Sequence, residues 1–238
     1  MLEDTVVSLP DGGTRPAVLA VPDTEGAVPG VVIIHDIFGL QPDTRRHCRR
    51  FAEAGYAAIA PDLYDGGRVR CVVSTLLAMQ RRQGRAYDVI AAARRRLAEH
   101  PRLDADRIGI TGFCMGGGFA LLAAADDAYA VAAPFYGDVP ERKERLKNLC
   151  PTIAQYGARD ASFRSHAERL SKHLEALEIE HEVLIHPGAG HSFMNDHDLL
   201  LARVGRHTPM RAAYEPTTEA LAWEKLLAFF DAHMPAAS

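Results

Sequence analysis

The pentapeptide Gly112-Phe113-Cys114-Met115-Gly116 sets a thiol between small residues, directly after the stretch Arg107–Thr111 and directly before the small apolar run through Leu122. That pattern describes a nucleophile elbow. A reactive side chain sits on a strained strand-to-helix turn, and small flanking residues are needed because the bend brings backbone segments too close for a Cβ. The positive end of the following helix favours thiolate at Cys114, and the N–H of Met115 can receive an oxyanion. A phosphate-cradling turn fits less well, since neither a Lys-Ser/Thr ending nor a Gly-x-Gly-x-x-Gly order is present. An inert cysteine buried at a packing turn is the other alternative.

An elbow needs partners, and such sites take the chain order nucleophile, acid, histidine, each in a loop beyond a later strand. Asp160 follows the apolar segment Thr152–Tyr156 through Gly157-Ala158-Arg159, and His191 follows a segment ending at Ile185 through a glycine-rich turn. His191 would exchange a proton with Cys114, then with the leaving group and water, while Asp160 would hold the imidazole's tautomer. Asp138, after the segment Ala130–Phe135, competes for the acid's role, and His186 is a second imidazole nearby. His191, His197, Asp196 and Asp198 resemble a metal cluster only loosely, because no compact ligand spacing is present; no metal and no cofactor are expected. Asp36 in the run His35-Asp36-Ile37-Phe38-Gly39-Leu40 follows the first central strand, where the second oxyanion donor of such sites originates. A helix-capping Asp36 is the plainer reading.

The elements that must position these groups alternate along the chain. Thr5–Leu9 and Pro16–Val21 flank Asp11-Gly12-Gly13 as a hairpin. Val31–Ile34 is an uninterrupted apolar run suited to a strand buried on both faces. Helices are expected over Thr44–Ala54, Ala86–Glu99, from Met115, over Glu141–Leu149 and over Thr218–His233, the last turning Leu221, Leu226, Phe229 and Phe230 to one side. Strands are expected at Tyr56–Ala60, Arg107–Thr111, Ala130–Phe135, Thr152–Tyr156 and His181–Ile185. This alternation gives an α/β fold with a mostly parallel central sheet and helices on both faces, one domain over residues 1–238. Only one short helix fits between Phe135 and Thr152, so no lid domain is expected and the site should be open, favouring short esters. The unpatterned stretch Asn195–Pro216 is expected to border the site.

The 238 residues carry 47% hydrophobic side chains and a formal net charge of -4. That balance argues against nucleic-acid and anionic-membrane partners and leaves a small molecule. No apolar run is long enough to span a bilayer, and Met1-Leu2-Glu3-Asp4 lacks the basic-then-apolar order of a secretory signal, so a cytoplasmic location is expected. Cys48, Cys71 and Cys150 are widely spaced and expected to be reduced, buried thiols.

Taken together, these blocks resemble the dienelactone hydrolase family, the carboxymethylenebutenolidases, across almost the whole chain. His35-Asp36-Ile37-Phe38-Gly39 is similar to that family's His-Glu-x-Phe-Gly loop, and Gly-Phe-Cys-Met-Gly-Gly, Asp160 and Gly190-His191-Ser192-Phe193 match its other blocks in order. The resemblance implies an α/β-hydrolase fold, a Cys114, Asp160 and His191 triad, oxyanion donors at Ile37 and Met115, and hydrolysis of an ester or enol lactone through an acyl-thioester. It also makes Asp36, Phe38 and Asn195 candidates for substrate or thiol contact. Two positions depart from it. Asp36 replaces a glutamate that contacts the resting cysteine, and Asn195 stands where the family has a carboxylate-gripping arginine, leaving Arg68, Arg70, Arg81, Arg82 or Arg206 as substitutes. A catalytically weak thiol sensor or ligand-binding protein on the same fold is the alternative, since an activated Cys114 would also oxidise readily.

Overall fold

The computed structural model describes residues 1–64, 84–197 and 204–235. Arg68, Arg70, Arg81, Arg82, Cys71 and Asp198 lie outside them. In chain order the strands are β1 (Leu2–Ser8), β2 (Thr14–Ala20), β3 (Val28–Ile34), β4 (Ala57–Pro61), β5 (Leu103–Phe113), β6 (Ala132–Phe135), β7 (Thr152–Gly157) and β8 (His181–His186). The helices among the described residues are α1 (Pro42–Glu53), α2 (Arg85–Ala98), α3 (Met115–Asp126), α4 (Arg164–Ala176) and α5 (Pro216–His233).

The strands form one eight-stranded sheet in the order β1-β2-β4-β3-β5-β6-β7-β8. Only the β1–β2 and β2–β4 pairings are antiparallel. The expected hairpin therefore forms the antiparallel edge, and Val31 to Ile34, each fully buried, run up the middle between β4 and β5. A strand covered on both faces tolerates no polar alternation, which accounts for the unbroken apolar run.

Helix α1 has Pro42 in its first turn, where a missing N–H removes no intrahelical bond, and ends before Gly55 at φ 91°. Helix α3 is buried from Met115 through Ala125, so it has no polar face and behaves as a core helix. Two local expectations are corrected. The segment expected as a helix over Glu141–Leu149 is a single 3-10 turn, Lys143–Leu146, because Pro140 and Pro151 confine it. Leu221 is 49% exposed, so the buried stripe of α5 is instead Ala222, Trp223, Leu226, Phe229 and Phe230. Helix α4, a segment with no expected element, supplies the crossover between β7 and β8.

Candidate active site

Strands β3, β5, β7 and β8 all run parallel, and the loops beyond their carboxyl ends carry Asp36, Cys114, Asp160 and His191, the position where open α/β sheets gather their chemistry. Cys114 joins β5 to α3 with φ 56° and ψ -118°, in the positive-φ half of backbone space that side chains rarely occupy. Its N–H donates to the Phe135 carbonyl at 3.1 Å, and its carbonyl accepts from the N–H groups of Gly117 and Gly118 at 3.0 and 3.3 Å. The thiol is half-buried.

Close backbone contact makes this bend possible. A Cβ on Gly112 would lie 2.1 Å from the Gly116 oxygen, and one on Gly116 would lie 2.3 Å from the Ile34 oxygen and 2.5 Å from that of His35. Gly116→Ala is expected to destabilise the protein by about 3 kcal/mol or more, read from urea unfolding. The atoms the added Cβ would meet are all backbone of Ile34 and His35, which leaves no flexible neighbour to yield. A loss of under about 1 kcal/mol would contradict the tight-turn geometry.

His191 Nδ1 donates to Asp160 Oδ2 at 2.6 Å. The other Asp160 oxygen accepts from the N–H groups of Ser162 and Phe163 at 3.0 and 3.2 Å, so the carboxylate is fixed by the start of α4 before it meets the ring. The ring lies between Tyr136 and Phe163, centroids 4.8 and 4.9 Å away. Its backbone is clamped, N–H to Met210 O at 2.8 Å and carbonyl to Ala213 N–H at 2.9 Å. Nε2 is buried and makes no hydrogen bond of good geometry, leaving it available to the Cys114 sulfur beside it. Burial disfavours the imidazolium, but the Cys114 sulfur beside it and the Asp160 bond outweigh it and push the His191 pKa up to about 10.

The competing groups are engaged elsewhere. Asp138 lies 3.2 Å from His166 Nδ1, and His186 Nε2 is 2.8 Å from Gln155 Oε1. His197 faces Asp36 and His191 faces Asp160, so the two imidazoles of the loose metal-like cluster point to different carboxylates. Cys48 and Cys150 are free thiols remote from this chemistry, and burial pushes each pKa up to about 12.

The loop after β3 is pinned residue by residue. His35 Nδ1 donates to the Asp36 carbonyl at 2.7 Å while its Nε2 accepts from Leu63 N–H at 3.0 Å, which fixes one tautomer. Asp36 Oδ1 accepts from Phe38 N–H at 2.9 Å, and Tyr64 donates its hydroxyl to the Ile37 carbonyl at 2.9 Å.

Residues 16–234 match the model of the dienelactone hydrolase family. The chain belongs to that family. A Yersinia pestis protein provisionally named carboxymethylenebutenolidase is 30% identical, the match covering 97% of this chain and 88% of that one. A Bradyrhizobium sp protein provisionally named 2-oxo-3-(5-oxofuran-2-ylidene)propanoate lactonase is 28% identical over 94% of this chain and 92% of its own. The solved structure of a provisionally assigned dienelactone hydrolase from Klebsiella pneumoniae superposes with a TM-score of 0.78 at 27% identity, covering 97% of this chain and 98% of that one. The fold is thus an α/β-hydrolase fold, and the protein is a hydrolase of the dienelactone hydrolase type.

In this dienelactone hydrolase family member the site opens into a cleft of about 440 Å³, lined on one side by Ile37 and Phe38 and on the other by Val204, Met210, Ala212 and Ala213. The described part of the unpatterned stretch after Asn195 does border the site. Its size falls in the range of small-molecule pockets. Among the described residues Arg206 is the one Arg or Lys on this wall, and it is exposed.

Asn195 touches the same cleft, yet its amide is engaged at both ends: Tyr136 donates its hydroxyl to Oδ1, and Nδ2 donates to Asp43 Oδ2 at 2.7 Å. Arg46 reaches from the same Asp43 (2.8 Å) to the Met194 carbonyl (2.8 Å) and to Glu219 (2.5 Å). Burial would raise the Asp43 pKa, but His47, Arg46 and Asn195 together hold it well below the carboxylate range. Asn195 thus fastens the loop after His191 to α1, and through Arg46 to α5, while lining the cleft. Tyr136 and Phe163 went unrecognised in the sequence, where His197 stands only as a member of a loose metal-like cluster. The position of Tyr136 just past β6, at the rim that carries the other groups, is the signal that could have found it.

Proposed function

We propose that this protein hydrolyses carboxylic esters and lactones, enol lactones included, through an acyl-thioester on Cys114. The observation that supports this most is the buried His191, bonded to Asp160 at one nitrogen and left open at the other beside a strained, half-buried thiol. Cys114 Sγ attacks the carbonyl carbon, and the resulting oxyanion is received by the N–H groups of Ile37 and Met115. Collapse breaks the carbon–oxygen bond, and the leaving alkoxide or enolate takes the proton from His191 Nε2. His191 then removes a proton from water, whose oxygen attacks the thioester carbonyl. The carbon–sulfur bond breaks, Cys114 regains its electron pair as thiolate, and His191 keeps the proton it took; the released carboxylic acid gives the second water proton to solvent.

The charge on Cys114 makes one imidazole serve both halves. While the sulfur is anionic, His191 stays protonated up to about 10 and is a general acid. Acylation removes that charge, so the imidazole pKa falls and the same nitrogen becomes a base. For a lactone with a poor leaving group, kcat/KM is expected to stay level through neutrality and decline as pH rises through about 10. The post-burst rate with p-nitrophenyl acetate reports deacylation and is expected to rise with pH through a pKa nearer the free imidazole's, about 6.5. Coincident pKa values for the two would contradict the switch.

The relatives' names point to an acidic lactone, and Arg206 at the cleft rim is the cation suited to its carboxylate. Because it is exposed, the pairing is worth at most about 1 kcal/mol. Arg206→Ala is therefore expected to lower kcat/KM for carboxylate-bearing esters up to about fivefold relative to neutral analogues of equal length. Equal effects on both would remove Arg206 from recognition. Short esters and lactones are the substrates to try first. Absence of turnover across charged and neutral members by the wild type, or full activity in His191→Ala, would overturn the hydrolase mechanism.

A further inference from the structure

We infer that His197 is a positioning residue, tying the loop that carries His191 to the loop that carries the Ile37 N–H through the carboxylate of Asp36. This rests on the oxyanion role just proposed for Ile37.

Three observations converge on it. Asp36 divides its oxygens: Oδ1 holds the Phe38 N–H at 2.9 Å, and Oδ2 accepts from His197 Nε2. Both side chains are nearly fully buried, 5% exposed for His197 and 4% for Asp36, so water does not compete for the bond. The His197 ring also packs edge-on against Phe38, centroids 4.8 Å apart at 70°. The imidazole thus touches the residues on both sides of Ile37.

The rest of the oxyanion loop shows what this achieves. The carbonyl of Asp36 is held by His35 Nδ1 and by Gly39 N–H at 3.2 Å, and that of Ile37 by the Tyr64 hydroxyl. With both carbonyls and the Phe38 N–H occupied, the peptide carrying the Ile37 N–H has a fixed orientation. Asp36 is the hinge of that arrangement, and His197 is the group that fixes its carboxylate from the opposite wall of the cleft. Burial works against a charged His197, but Asp36, with Asp43 and Asp196 behind it, favours the charged ring. The shorter carboxylate in place of the family's glutamate is therefore engaged by the chain itself. Oxyanion donors act through placement, so a small displacement of the loop reduces transition-state stabilisation while substrate binding survives.

The test compares wild type with His197→Phe, which keeps a ring against Phe38 but has no donor, and His197→Gln, which keeps an N–H. Ester hydrolysis is read as kcat and KM, and Cys114 alkylation by iodoacetamide serves as a reaction that forms no oxyanion. His197→Phe is expected to lower kcat by about 30-fold with KM and alkylation rate within about threefold, and His197→Gln is expected to recover most of kcat. Asp36→Asn is expected to repeat the loss, and the double variant to be no worse than either alone, as for partners in one interaction. Wild-type kcat in His197→Phe, additive losses in the double variant, or a parallel fall in alkylation and melting temperature would overturn the positioning role. If the wild type itself forms no product while Cys114 alkylates normally, the hydrolase reading fails and the latch falls with it; intact wild-type turnover with an insensitive His197 removes the latch alone.

Discussion

Cys114→Ala is expected to lower kcat/KM for short esters by about 10⁵-fold, leaving a folded protein with a melting temperature close to wild type. The side chain removed is half-buried, whereas what maintains the turn is backbone: the Phe135 carbonyl on its N–H and two glycine N–H groups on its carbonyl. Those bonds survive the substitution. Steady-state hydrolysis alongside a thermal melt checks both halves. Cys114→Ser sharpens the result, because a neutral hydroxyl no longer stabilises the imidazolium. With the anionic sulfur gone from beside it, His191 should titrate lower and act as base from the outset, so the serine enzyme is expected to be slow and its rate to climb with pH through the imidazole range. Activity in Cys114→Ala within tenfold of wild type would exclude the thiol as nucleophile.

Asp160→Asn is expected to reduce kcat by about 10⁴-fold. The asparagine oxygen can still accept from Ser162 and Phe163, so the start of α4 holds. What is lost is the acceptor opposite Nδ1. An amide can present N–H there instead, which places the imidazole proton on Nε2 permanently and removes the base. Loss of the carboxylate also takes away one of the two groups that sustain the raised His191 pKa, so titration of that ring should shift downward in the same variant. Asp138→Asn is the matched control. Its carboxylate faces His166, with its side chain 47% exposed, and near-wild-type kinetics are expected. A large loss at Asp138 with a small one at Asp160 would reverse the assignment of the orienting acid.

The parts of the fold legible in the sequence are those set by local rules. An unbroken apolar run marks a doubly covered strand, a glycine-flanked turn between strand and helix marks the elbow, and Asp160 and His191 follow their strands at short range. The structure brings these three residues to one rim of the sheet. Where several weak signals compete, reading is harder: the segment after Glu141 has helical residues but lies between Pro140 and Pro151 and closes as one 3-10 turn. Leu221 fits an apolar stripe until the actual packing face of α5 is known, and that face is set by Phe51 and Tyr56, which meet Trp223 and Phe230.

Pairings between distant loops leave no local trace at all. Nothing near Asp36 announces His197, 161 positions later, and nothing near Asn195 announces Asp43, 152 positions earlier. In sequence, Asn195 reads as a missing arginine. In space it is the middle of a buried chain from Tyr136 to Asp43 to Arg46, and so a fastening for the loop that presents His191. Such contacts depend on which strand ends become neighbours, which the sheet order decides and residue spacing does not.

The acyl-thioester itself offers the most direct test. Wild-type protein mixed with p-nitrophenyl acetate, quenched in acid during turnover and measured by intact and peptide mass spectrometry, is expected to carry a single acetyl group on the peptide containing Cys114. The same label should accumulate in His191→Ala if acetylation still occurs, since deacylation then lacks its base. Steady turnover with no label on Cys114, or with the acetyl group on another residue such as Ser192, would contradict the covalent mechanism.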